Sequence, residues 1–130
     1  MERRGRCLCG AITYTTSGRI LWAGHCHCDS CRRASSAPMT SFLGVPRGTV
    51  TWSSAPATYR SSPEVTRGFC PTCGSQMCYE STFFPDETHL YAATLDDPST
   101  FQPQAHYHYA ERLPFLKLND DLPKHSGMAD

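Results

Sequence analysis

Three cysteines and two histidines lie within the seven residues from His25 to Cys31, "HCHCDSC", and two arginines, Arg32 and Arg33, follow at once. The chain has eight cysteines, and seven of them fall into tight groups: Cys7 with Cys9, Cys26 with Cys28 and Cys31, and Cys70 with Cys73. Neighbours at i and i+2 cannot easily pair with each other as disulfides, and in a reducing compartment such clusters share metal ions instead. Cys70-Pro-Thr-Cys73-Gly74 is a device in which a two-residue turn brings two sulfurs together, backbone amides donate to them, and a glycine relieves the tight backbone. On an extended strand Cys7 and Cys9 would point to one face and offer two further thiolates. Two such halves complete a closed tetrahedral site of four cysteines, the form structural zinc takes, with iron as the competing metal.

Cys26, Cys28 and Cys31 remain, and the number three is informative. Structural zinc takes four protein ligands, whereas catalytic zinc commonly takes three and holds water or substrate in the fourth position. A divalent ion held by three thiolates keeps one net negative charge where four thiolates leave two, so it is the better polariser of an added ligand. The pattern therefore reads as an open site with Cys26, Cys28 and Cys31 as its functional ligands. Arg32 and Arg33 either offset its charge and hold an anionic substrate group, or form a solvated turn. Cys78, the eighth cysteine, sits in the strand-like "QMCYE" and reads as a core residue, with closure of the open site as the alternative. His25 and His27 alternate with the ligands; on a strand they would point away from the ion, toward packing or hydrogen bonds that orient the ligands.

The elements that must position these groups are strands. Ten prolines and nine glycines are spread along the whole chain, leaving few segments long enough for a typical helix. Period-two patterning predicts strands over 11–16, 19–25, 38–45, 49–53, 65–70, 76–81, 89–95 and 105–110, with Gly-, Pro-, Ser- and Asp-rich turns between most of them. One helical turn is expected over 29–34, with Asp29 as its N-cap. His106 and His108 would share one face of the 105–110 strand, either lining a pocket or facing solvent. At 130 residues the chain has room for one domain, 1–130, with a core over about 6–122 and a loose tail over 123–130.

Lys plus Arg and Asp plus Glu number 12 each, so the basic excess that holds a phosphate backbone is missing and nucleic acid is not expected as a partner. No run of about 20 apolar residues is present to span a membrane. The first ten residues, "MERRGRCLCG", do not read as a secretory leader. The expectation is a soluble, cytoplasmic protein without a membrane partner.

Taken together, "CLCGAITY", "HCHCDSCRRA", "FCPTCGSQMCYES", "ATLDDP" and "PQAH" resemble, in order and approximate spacing, the glutathione-dependent formaldehyde-activating enzyme family, over nearly the whole chain. The resemblance implies a mainly β fold, a β-tent of several small coiled antiparallel sheets around structural zinc. It also implies that Cys7, Cys9, Cys70 and Cys73 bind the structural zinc, and that Cys26, Cys28 and Cys31 bind a second. The family's namesake reaction adds glutathione to formaldehyde to give S-hydroxymethylglutathione, so a small thiol and a small electrophile are the implied partners, and the implied class is carbon–sulfur lyase. A metal-bound thiol is deprotonated near neutral pH, which suits an ion with one free position. Two other functions stay open: a non-catalytic, zinc-stabilised binding module, and reduction of methionine sulfoxide, which needs an unligated reactive cysteine and has only Cys78 available.

Overall fold

Short strands fit between the prolines and glycines, and they make up most of the regular secondary structure in the computed structural model, which describes residues 1–128. β1 (Arg3–Arg6), β2 (Thr13–Thr16) and β5 (Val50–Trp52) form a three-stranded antiparallel sheet in the order β1-β2-β5. The second sheet has seven strands. Its central members are β3 (Trp22–Cys26), β4 (Thr40–Pro46), β9 (Glu87–Tyr91) and β8 (Gln76–Ser81), in that order. β7 (Val65–Phe69) and β6 (Ala57–Ser62) extend it at the β8 end, and β10 (His106–Tyr107) runs parallel to β3 at the other. All its other pairs are antiparallel. The mainly β expectation holds, with two sheets carrying it.

Alternation along β4 and β9 divides the interior in two, because successive side chains leave a strand on opposite faces. Leu43, Val45 and Leu90 enter a buried cluster with Ile12, Tyr14 and Met77, and Cys7 and Cys70 belong to it. Phe42 and Tyr91 turn to the other face, where they pack with Cys26 and Cys31. The large sheet thus lies between the two sets of grouped cysteines.

Several expected boundaries move. The 19–25 strand begins only at Trp22 and runs to Cys26. The 89–95 segment leaves the sheet after Tyr91 and continues as a 3-10 turn over Ala92–Thr94. The 105–110 strand shrinks to His106–Tyr107, because His108 adopts a left-handed backbone, φ 53°, that starts a 3-10 turn over Tyr109–Glu111. His106 and His108 therefore share no strand face. β1 and β6 escape a reading by periodicity: "RRGR" has no apolar alternation, and "ATYRSS" is an edge strand with a mostly exposed polar surface. Gly5 in β1 is required by close approach, since a Cβ there would collide with the Tyr14 ring and the Thr94 carbonyl.

Within the expected tail, residues 123–127 make backbone hydrogen bonds to β10 and the turn that follows it. The amides of His106 and His108 donate to the carbonyls of Pro123 and Gly127 at 2.8 and 2.6 Å, and the His125 amide donates to the His106 carbonyl at 2.8 Å. The segment is tied down because β10 has an open edge whose backbone groups need partners. Residues 129 and 130 of the expected tail lie outside the described residues.

Helix α1 (Asp29–Ser35) covers the expected helical turn, but its N-cap is Cys28 rather than Asp29: the Cys28 sulfur accepts the Cys31 amide at 3.4 Å. Asp29 occupies the first turn, where a negative charge complements the helix dipole.

Candidate metal centres

Cys7, Cys9, Cys70 and Cys73 come from two turns of similar design. β1 stops at Arg6, so Cys7 and Cys9 are held by a turn and not by an extended strand; Gly10 closes it with φ 81°, donating its amide to the Cys7 carbonyl at 3.2 Å. Gly74 does the same for the second pair, with φ 80° and an amide bond of 2.8 Å to the Cys70 carbonyl. Ser75 joins the halves: its hydroxyl accepts the Leu8 amide at 2.9 Å and lies 3.2 Å from the Cys73 sulfur. All four sulfurs lie within 4.8 Å of one another, with Cys7 to Cys9 at 3.7 Å and Cys9 to Cys70 at 3.9 Å. Sulfurs arranged tetrahedrally about 2.3 Å from an ion would be about 3.8 Å apart, so the group fits such an ion.

Charge says the same. The Ser75 hydroxyl chiefly holds Cys73 down to about 5. Burial opposes ionisation of Cys7, but the Ile12 amide at its sulfur and hydrogen bonds with Cys70 and Cys9 together lower it. At Cys9 the Ala11 amide favours the thiolate, yet desolvation and the neighbouring sulfurs push it up to about 11. Four thiolates so close repel one another unless a cation lies among them.

The second group is assembled at the junction of β3 and α1. Cys26 ends the strand, Cys28 caps the helix and Cys31 lies in its first turn, with the three sulfurs within 4.8 Å of one another. No fourth Cys, His, Asp or Glu joins them among the described residues. Hydrogen bonds from Cys26 and Cys31 pull Cys28 far below the ordinary thiol range, while the hydrogen bond to Cys28 pushes Cys26 far above it. One sulfur thus takes the negative charge while a neighbour is driven to keep its proton, a conflict a divalent cation would remove. Cys78 belongs to neither group; burial, with a contribution from Glu80, raises it to about 12.

The two arginines after Cys31 differ sharply. The Arg32 side chain is 15% exposed, donates to the carbonyls of His27 (3.1 Å) and Glu111 (3.3 Å), and meets Asp29 at 3.4 Å. Arg33 is 79% exposed and pairs with Asp29 at 2.9 Å.

The residue that sequence reasoning missed is Arg67 on β7. It is 1% exposed, with its terminal nitrogens 3.8 and 3.9 Å from the Cys31 sulfur. The available signal was a charged residue inside an otherwise uncharged strand segment, three positions before Cys70.

His25 and His27 stand outside both cysteine groups. His25 Nδ1 meets the Ser41 hydroxyl at 2.8 Å, and His27 Nε2 meets His106 Nδ1 at 2.8 Å. His106 Nε2 in turn reaches the Asp120 carboxylate at 2.9 Å. An ionised carboxylate only accepts, so with neutral rings His106 donates through Nε2 and accepts at Nδ1 from His27 Nε2–H. The remaining His27 nitrogen, Nδ1, is buried with no hydrogen-bond partner among the described residues. Burial first, and then the repulsion of His106, lower His27 to about 4, while the hydrogen bond from His106 chiefly holds Asp120 at about 2.

A model of the family "Glutathione-dependent formaldehyde-activating enzyme" matches residues 2–111. A Schizosaccharomyces pombe protein named as an uncharacterized lyase is 31% identical over 81 residues, which are 62% of this chain and 59% of that relative, less than two thirds of its length. A crystal structure of a Rhodobacter sphaeroides protein shares the fold, with a TM-score of 0.60 at 21% identity over 75% of this chain and 93% of the other. The family match takes in all seven grouped cysteines, and the chain belongs to the glutathione-dependent formaldehyde-activating enzyme family.

Proposed function

We propose that the protein is a zinc-dependent enzyme of carbon–sulfur lyase type that joins a thiol such as glutathione to formaldehyde or another small electrophile. The observation that carries this reading is the contrast between two centres: one offers four sulfurs, the other three with no fourth protein ligand among the described residues. Cys7, Cys9, Cys70 and Cys73 would hold a structural zinc. Cys26, Cys28 and Cys31 would hold a second one, which when bound supplies a Lewis acid that keeps a thiol substrate deprotonated near neutral pH.

The chain's own residues set up the chemistry. The Cys31 amide steadies the Cys28 sulfur, and Arg67 brings positive charge to Cys31. Arg32 or Arg33 would contact a substrate carboxylate, with Arg33 the more exposed and Arg32 held by backbone carbonyls. In the reaction the thiol sulfur bonds to the aldehyde carbon, and the carbonyl π pair moves to oxygen. The proton lost by the thiol ends on that oxygen, and the product is a hydroxymethyl thioether. A reducing compartment, the cytoplasm, suits thiolate ligands, and small molecules rather than nucleic acid are the proposed partners. No helix among the described residues is long and apolar enough to cross a membrane.

Native mass spectrometry with and without glutathione tests the reading. Two zinc ions per chain and a thiol-dependent adduct are expected. A single tightly held zinc with no adduct would overturn it in favour of a zinc-stabilised binding module.

A further inference from the structure

Arg67 is a buried cation without a carboxylate. Its Nε donates to the Ser61 hydroxyl at 2.9 Å, Nη1 donates to the Tyr91 hydroxyl at 3.3 Å, and the guanidinium lies 5.1 Å from the Tyr79 ring centroid. Among the described residues no Asp or Glu forms an ion pair with it. Burying a charge is strongly unfavourable unless an opposite charge compensates. The hydroxyls of Ser61 and Tyr91 are neutral partners, and the Tyr79 ring offers only its π face. The Cys31 sulfur, 3.8 and 3.9 Å from the two terminal nitrogens, is the partner that can carry the missing negative charge.

We propose that Arg67 is the built-in countercharge of the three-cysteine centre and makes its open position selective for an anionic ligand, a thiolate, over a neutral one. This rests on the reading above that Cys26, Cys28 and Cys31 share a divalent ion. Such a centre bears one net negative charge, which Arg67 cancels. A thiolate then joins a neutral assembly instead of an anionic one, while a neutral ligand gains no such advantage. Arg33, 79% exposed, cannot substitute for it, because water and salt screen an exposed charge and reach a buried one far less. Arg67 acts through Cys31, and so is a positioning residue that sets the charge of the site. β7 runs from Arg67 directly toward Cys70, so the closed centre anchors the strand that carries the cation of the open one.

The test loads wild type, Arg67→Met and Arg67→Lys with Co²⁺, whose visible absorption reports its ligands, and titrates each with 2-mercaptoethanol and, separately, imidazole. The first binds as an anion and lacks a carboxylate; the second binds as a neutral ligand. Arg67→Met should weaken 2-mercaptoethanol by about tenfold or more, as loss of a charge-assisted contact does, and imidazole by less than about twofold. Arg67→Lys should retain most of the preference for the thiol. Equal weakening of both ligands would mean a structural role and overturn the assignment, as would unchanged thiol binding in Arg67→Met.

If Arg67→Met does not fold, wild type decides: its affinity for 2-mercaptoethanol should hold within about twofold between about 0.05 and 1 M of a weakly coordinating salt. A tenfold fall would assign the charge to surface arginines and overturn the proposal. Wild type that takes no Co²⁺ at the three-cysteine centre would sink the proposed function and this inference with it. Wild type that binds the thiol, beside an Arg67→Met that binds it equally, sinks this inference alone.

Discussion

Cys28 is both a candidate ligand of the three-cysteine group and the N-cap of α1. Serine keeps a capping oxygen while removing the soft ligand, so Cys28→Ser should lose the second metal and any thiol-dependent activity while its circular dichroism stays native. Unfolding of this variant would show the group to be structural. A second prediction concerns Asp120, whose carboxyl is held at about 2 by the hydrogen bond from His106, against an ordinary value of about 3.9. A depressed carboxylate contributes stability that is present above the unfolded value and lost as the pH falls through the folded one. Wild type should therefore be more stable than Asp120→Asn at pH 7, and the gap in denaturant midpoints should close between about pH 4 and pH 2. A gap independent of pH would count against the ionised pair.

Turns, rather than strands, present the four grouped cysteines. Gly10 and Gly74 both sit at positive φ immediately after the second cysteine of a pair, where a Cβ costs roughly 1–2 kcal/mol. Gly74→Ala should lower the melting temperature and weaken the metal of the four-cysteine centre, with the three-cysteine centre unchanged; zinc competition with a colorimetric chelator reads both. A Cβ at Gly74 would meet nothing within 4 Å, so any loss reports backbone strain and not a clash. The cysteine pairs were legible from their spacing, but the turn at Cys7 to Cys9 was not: an i, i+2 pair suits a strand equally well, and the Gly10 backbone settles the matter. α1 was also legible, whereas its cap was not, because a cysteine at this position caps only when its sulfur is turned back toward the helix.

The four-cysteine group joins parts of the chain more than sixty residues apart, Cys9 to Cys70, and two of its members, Cys7 and Cys70, belong to the main buried cluster. Structural zinc is worth on the order of 10–16 kcal/mol in small domains, as much as or more than a typical domain stability of about 5–15 kcal/mol. Chelation or Cys70→Ser should therefore unfold the protein, and unchanged thermal melting of that variant would remove the claim. The amino-acid sequence alone determined the cysteines that could bind metal, their division into four and three, and the mainly β class. Those features depend on residue chemistry and on spacing within a few positions, which short-range geometry constrains. Tertiary structure alone decided that the Arg67 side chain of β7 reaches Cys31 of α1 across 36 positions, and that His27, His106 and Asp120 form one hydrogen-bonded chain. It also decided that residues 123–127 pair with β10. Contacts of that kind arise from which strand ends up beside which. No local pattern encodes them, because the partners meet only after the sheets have paired and the buried polar groups have found one another.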